Sequence, residues 1–344
     1  MNRTSSFALG LLLVACMPIY GQQERRSDET GTLAMAGRTA SGVVISIDSA
    51  ITESPYNVFG TSIENAKRVV DDGGRKLIDI GPSSACSING FVGNAVHRND
   101  LASDIRDWVQ ANPTVNASKG LRAMLQLAAN SWNKEHYSVR ALPRERKVGD
   151  LITNIVCGDQ FPDGPGILLG HTSVNSDGTA VLSAINRTTQ NMNVDGMFDT
   201  STLECIVLCQ RPPVDDSGKL TNMIEGLRND ITNDPSAMKS LHAVIVAQQA
   251  MPLLDAANGT KTRQSTLSQT DLQTLFIAVY KSVELHVPDG EVGAPNNARL
   301  IAKCGRLTTA IESPWPTCDE NTGKWSIGSG SPISSLPPQR TVHE

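Results

Sequence analysis

The order of β-prone runs and amphipathic helical patterns is what most restricts the fold of this chain. Short β-prone runs separated by glycine-rich or proline-containing turns occupy residues 33–35, 43–47, 68–70, 76–80 and 85–88. Two patterns of helical period follow, one reaching from Val92 to Val109 and one from Leu121 to Trp132.

The second half of the chain repeats this order. Strands are predicted at residues 167–171 and 179–185, helices at 237–254 and 268–285, and a last strand at 298–302. Strands grouped around paired helices predict an α+β fold, a four-layer αββα sandwich of two antiparallel sheets flanked by helices.

Composition excludes several function classes. The chain has 344 residues, of which 39% are hydrophobic and 19% charged, as in a water-soluble globular protein with a sizeable core. The net charge of −5 is spread along the chain, and no basic stripe favours nucleic acid or an anionic lipid surface. We expect no nucleic-acid partner and no cofactor.

The N-terminal segment has the pattern of an export signal. One positive charge, Arg3, precedes a short apolar core and an exit of small residues that ends at Gly21. Residues 1–21 are therefore predicted to be a signal peptide, and the protein to be periplasmic or extracellular. The run Leu13–Cys16 also resembles a bacterial lipoprotein signal, in which Cys16 would carry the only membrane anchor; cleavage after Gly21 is the alternative.

Six of the seven cysteines lie beyond the signal, where an oxidising compartment favours disulfides. Cys304 and Cys318 are the best candidates for a pair, because they close a short loop that contains two prolines. The six histidines are scattered and no zinc-ligand spacing is present, so we predict no metal site.

A candidate nucleophile stands just after the export signal. The polar leader at residues 22–31 ends in Gly31-Thr32, and Asp48 follows sixteen residues later at the end of an apolar strand. Cleavage before Thr32 would place a hydroxyl nucleophile and an α-amine base on one residue. An acid at the end of the neighbouring strand could hold a cation that tunes that amine.

These motifs together resemble proteasome β-type subunits, in the N-terminal nucleophile hydrolase superfamily. The resemblance rests on Gly31-Thr32, on Gly42-Val43-Val44 leading to Asp48-Ser49, on Asn65–Val69 and on Asn89–Ala95, with later matches at 166–178 and 289–293. It covers roughly residues 31–305 and implies a domain of the sandwich fold above over residues 32–305. The C-terminal tail, residues 306–344, is predicted to be partly disordered.

The resemblance also implies site residues. Thr32 would be the nucleophile, Asp48 would orient a cation, the Gly90 backbone N–H would contribute to an oxyanion hole, and Asp289 would position the Thr32 amine. The family's lysine aligns best with Arg68, which cannot exchange a proton as lysine does, and Lys67 is the neighbouring alternative.

Two functions remain open at this level. The first is an exported threonine hydrolase that cleaves amide bonds in peptides or other acyl compounds after self-processing at Gly31-Thr32. The alternative is an inactive binding or structural protein that keeps the fold. Proteasome relatives form rings, so the resemblance also allows a homo-oligomer.

Overall fold

The computed structural model describes residues 26–31, 33–49, 51–56, 68–71, 76–94, 99–136, 148–149, 151–188, 191–196, 253, 267–286, 297–327 and 331–332. In chain order the elements are β1 (Arg26–Gly31), β2 (Leu33–Arg38), β3 (Gly42–Ile47), β4 (Ile51–Tyr56), β5 (Arg68–Asp71), β6 (Leu77–Ile80), β7 (Ser84–Asn94), β8 (Asn99–Asp100), α1 (Leu101–Ala111), α2 (Ala117–His136), β9 (Leu151–Phe161), β10 (Gly164–Val174), β11 (Ala180–Arg187), β12 (Met192–Gly196), α3 (Gln269–His286), β13 (Asn297–Ala302), β14 (Gly305–Ala310), β15 (Thr317–Asp319), β16 (Lys324–Ile327) and β17 (Ser331–Pro332).

The strands form three antiparallel sheets. The largest has nine strands in the order β11-β10-β9-β7-β1-β4-β5, with β6 and β8 also paired to β7. The second has the order β12-β2-β3-β13-β14, and the third is the small unit β15-β16-β17. The α+β class with antiparallel sheets is therefore confirmed.

Two apolar clusters of described residues pack between these elements. One lies between the nine-stranded sheet and helices α1 and α2, and it includes Ile88, Leu125, Trp132 and Ile155. The other joins the two large sheets, because Ala36 and Ile45 of the five-stranded sheet pack with Ala85 and Val156 of the nine-stranded sheet. Alternate residues of β7 and β9 thus face opposite clusters, as the two-residue period of a strand requires.

The two large sheets are in close contact at Gly158 of β9, which has no side chain. A Cβ atom added at Gly158 would come within 2.7 Å of Val43 and 2.8 Å of Ile301, both in the five-stranded sheet. On the outer face of that sheet, Gly37 of β2 lies directly against Leu272 of α3.

One buried carboxylate joins the nine-stranded sheet to the start of α2. Asp159 accepts hydrogen bonds from the Ser84 hydroxyl at 2.6 Å and from the backbone N–H of Ser118 at 2.9 Å. The second bond satisfies a donor that the first turn of a helix leaves without an intrahelical partner.

Asp159→Ala should therefore lower the free energy of unfolding by about 2–3 kcal/mol, through loss of the helix cap and of the buried bond to Ser84. Urea unfolding followed by far-UV circular dichroism measures this. The exposed Asp177→Ala, at a hairpin turn, is the control and should change stability by less than about 1 kcal/mol. Equal effects for the two variants would contradict the bridging role.

The disulfide prediction is confirmed, and a second disulfide was not foreseen. Cys304 is bonded to Cys318, and Cys86 of β7 is bonded to Cys157, its direct partner on β9. Both cysteines of the second pair are completely buried. Cys205 and Cys209 lie outside the described residues. Disulfides are compatible with an exported protein.

Several predicted elements agree with the structure, and the differences have local causes. The β2–β3 hairpin, helices α2 and α3, and the β10–β11 hairpin lie where predicted. Val92 belongs to β7 rather than to a helix, and α1 begins only after Asp100, whose side chain accepts the Ser103 N–H as the helix cap.

The leader and the tail contain more regular structure than their composition indicates. The polar composition of the leader predicts a flexible segment. Residues 26–31 instead form β1, which pairs with a strand on each side. Strand β14 extends the five-stranded sheet past residue 305, and β15 and β16 follow it. The helix predicted at 237–254 lies outside the described elements. No helix in the described part of the chain is both long and apolar enough to cross a bilayer.

Candidate functional site

The site is built around Asp48, which directly follows β3. Its Oδ1 atom accepts the backbone N–H of Leu33 at 2.9 Å, and its own N–H donates to the Leu33 carbonyl oxygen at 2.8 Å. The Leu33 nitrogen belongs to the peptide bond that joins Thr32 to Leu33. The Asp48 carboxylate therefore accepts a hydrogen bond from the residue that directly follows the predicted nucleophile.

A lysine that the sequence analysis did not select is the cation on Asp48. Lys76 Nζ lies 2.8 Å from Asp48 Oδ1, and both side chains are 0% exposed. The Lys76 carbonyl oxygen accepts the N–H of Ile88 in β7, which fixes the backbone from which this side chain projects. The pair therefore connects the start of β2, the end of β3 and the entry to β6.

The Lys76–Asp48 ion pair is unusual because both of its side chains are completely buried. Removing two charges from water costs several kcal/mol for each ion, and their mutual attraction offsets that cost only when geometry and further hydrogen bonds are good. Lysine is almost never fully buried unless it is paired. A completely buried lysine, paired with a carboxylate that also binds the Leu33 N–H, is thus a candidate functional group.

The third part of the site is the bend of β7 at Asn89 and Gly90. Gly90 has φ +88°, a conformation that glycine adopts without steric cost, and its N–H donates to Asn89 Oδ1 at 2.8 Å. Asn89 is completely buried. The leader reaches this bend, because Gly31 is the register partner of Gly90 in the β1–β7 ladder.

The predicted site residues fall into three groups. Asp48 and Gly90 are described and lie at the junction of β1, β3 and β7. Arg68 begins β5, of which the structure describes the backbone alone. Thr32, Lys67 and Asp289 lie outside the described residues. Within the described chain, no cluster of three or more metal-ligating side chains occurs.

The sequence motifs do not identify Lys76, because it stands as the first residue of a β-prone run. The signal was available: Lys76-Leu77-Ile78-Asp79-Ile80 is a strand that opens on a charge and is otherwise mostly apolar. Comparisons with protein-family models and with curated proteins find no match for this chain.

Proposed function

We propose that the protein is an exported, proteasome-like N-terminal threonine hydrolase that cleaves its own Gly31–Thr32 bond and then other amide bonds. The observation that carries the proposal is the fully buried Lys76–Asp48 pair, whose carboxylate also accepts the Leu33 N–H. In this proposal the layers of helices and sheets form the αββα sandwich of that superfamily.

Lys76 takes the role that the sequence alone assigned to Arg68 or Lys67. A fixed positive charge beside Thr32 would disfavour protonation of the mature α-amine and would stabilise the hydroxyl oxygen as it loses its proton. Asp48 neutralises the buried lysine and, through its bond to Leu33, holds the start of β2 at a fixed distance from that charge.

Self-processing would proceed by an acyl shift. The Thr32 hydroxyl oxygen bonds to the Gly31 carbonyl carbon while its proton passes to a water molecule. The carbon–nitrogen bond then breaks, the nitrogen takes up a proton, and the leader remains attached as an ester. Water hydrolyses that ester, which releases Gly31 as a carboxylate and leaves Thr32 with a free amine and hydroxyl.

The mature site would then act on amide substrates in two steps. The Thr32 amine accepts the hydroxyl proton, the hydroxyl oxygen forms an ester with the acyl group of the substrate, and the leaving amine takes up that proton. Water completes the hydrolysis. A peptide or other acyl amide is the substrate class that this chemistry serves.

A second candidate is a binding protein that is never cleaved, and the placement of the leader favours it. Strand β1 pairs with β7 on one side and with β4 on the other, so residues 26–31 already occupy a position inside the sheet. An uncleaved leader in that position would leave no free Thr32 amine.

The mature N-terminus separates the two functions. Intact-mass and N-terminal analysis of the exported wild-type protein should find a chain that begins at Thr32. Thr32→Ala should abolish this species, since loss of a nucleophile lowers rates by several orders of magnitude. Thr32→Ser, which keeps a hydroxyl, is the control and should still be processed. A wild-type chain that always begins upstream of Thr32 would favour the binding protein.

A further inference from the structure

We infer that the Asn89 side chain is a catalytic residue that donates a hydrogen bond to the oxyanion formed at the Gly31 carbonyl and, later, at a substrate carbonyl. This inference rests on the proposed function. It begins from an unsatisfied group: Asn89 is 0% exposed, and its Nδ2 atom has no hydrogen-bond partner. A buried polar group without a partner destabilises the folded state, so its retention needs a reason.

The orientation of this amide is fixed from its other end. Gly90 N–H donates to Asn89 Oδ1 at 2.8 Å, which assigns the acceptor end of the amide and leaves Nδ2 as the available donor. The Gly90 N–H is thereby engaged. In this inference Gly90 supports the oxyanion site by holding Asn89, and the donor to the oxyanion is Asn89 Nδ2 rather than the Gly90 N–H.

The strand pattern directs this donor into the space between the two large sheets. In β7, Ala85 belongs to the cluster that joins the sheets, whereas Cys86 and Ile88 belong to the cluster beneath the helices. Alternation from Ala85 through Ser87 places Asn89 on the face toward the five-stranded sheet. That sheet contains β2 and β3, whose ends meet at Asp48 and Leu33.

The leader brings the scissile bond to the same place. In the β1–β7 ladder Thr30 is the partner of Phe91 and Gly31 is the partner of Gly90, so the chain advances toward Asn89 as it reaches the cleavage point. The backbone of Lys76 lies along the same edge of β7 as the leader, because Ile88, the neighbour of Asn89, donates to the Lys76 carbonyl oxygen.

The chemistry needs a donor at this point. As the Thr32 oxygen bonds to the Gly31 carbon and its proton leaves to water, the carbonyl π electrons move onto the carbonyl oxygen. Asn89 Nδ2–H stabilises that negative charge until the electrons return and the bond to the Thr32 nitrogen breaks. A preorganised donor in a water-excluded site lowers such a barrier substantially, and its removal typically costs about 10²–10³-fold in rate.

The test compares rates of leader removal in full-length protein carrying Asn89→Asp, Asn89→Leu or Ser87→Ala. Aspartate keeps the shape and the acceptor for Gly90 but has no donor, and leucine is a second variant of similar volume. Ser87 is buried on the same face of β7 two residues earlier, and its hydroxyl donates to the Val156 carbonyl, so Ser87→Ala is the matched control. Pulse labelling with mass analysis follows the Thr32-terminated chain, and near-UV circular dichroism selects variants with wild-type packing.

We expect a folded Asn89 variant to process at least about 10²-fold more slowly than wild type, and Ser87→Ala to stay within about threefold. In the mature enzyme kcat should fall while KM changes little, as for an interaction made only in the transition state. If the wild type is processed and folded Asn89 variants are processed at rates within about threefold of the wild-type rate, the Asn89 role is overturned. The proposed function would then still stand. A wild-type chain that is never processed, and never hydrolyses an amide, would overturn both.

Discussion

Lys76→Met is expected to lower the free energy of unfolding by about 3–5 kcal/mol and to stop cleavage between Gly31 and Thr32. The stability loss arises because Asp48 would remain completely buried with its charge uncompensated. In the proposed function, cleavage stops because Lys76 no longer supplies its positive charge to the site. Urea unfolding measures the first effect, and the mass of the exported chain measures the second.

The double variant Asp48→Asn with Lys76→Met separates these two effects. Asparagine keeps an oxygen that can accept the Leu33 N–H, and methionine fills most of the lysine volume, so stability should return to within about 2 kcal/mol of wild type. Processing should remain absent. The exposed Lys119→Met on α2 is the matched control and should alter neither property. Normal processing in the double variant would limit Lys76 to a structural role.

Trp132→Ala is expected to be the most destabilising change away from the site, at about 3–5 kcal/mol. Trp132 is 1% exposed, lies in the cluster between α2 and the nine-stranded sheet, and meets the Phe91 ring edge to face at 5.3 Å between centroids. The cavity left by an indole cannot be filled by the neighbouring strands, whose pairing holds them in place. Urea unfolding should show a lower midpoint with an unchanged slope.

Trp108→Ala provides the comparison on the adjacent helix. Trp108 is only half-buried and packs beside Gly120 at the start of α2, so its removal should cost less than half as much. Equal losses at Trp108 and Trp132 would contradict the assignment of Trp132 to the core.

The predictable part of the fold was the part with strong local patterns. Short β-prone runs on either side of a glycine-containing turn located β2 and β3, and helical period located α2 and α3. Strand β9 was missed because its sequence, Leu151–Phe161, mixes buried apolar residues with Thr153, Asn154 and Asp159, which are buried as well. A strand that buries polar and apolar residues alike has no alternation of the two kinds to detect.

The site was predictable only where a motif fixed the spacing. Asp48 follows the candidate nucleophile at a constant distance along one hairpin, so its position follows from local geometry. Lys76 and Asp48 are 28 residues apart in sequence. No local pattern around either residue predicts that the two side chains meet. Asn89 acquires its significance from an unpaired atom, which no sequence pattern reveals.

The position of β1 has a consequence for the mature molecule. In the described ladders, β4 and β5 connect to the rest of the nine-stranded sheet through β1 alone. If the chain is cut after Gly31, that connection becomes a separate short peptide held without a covalent link to β2. Departure of the peptide would then separate strands β4 and β5 from the rest of that sheet, so residues 51–56 and 68–71 would gain freedom once the chain is cut.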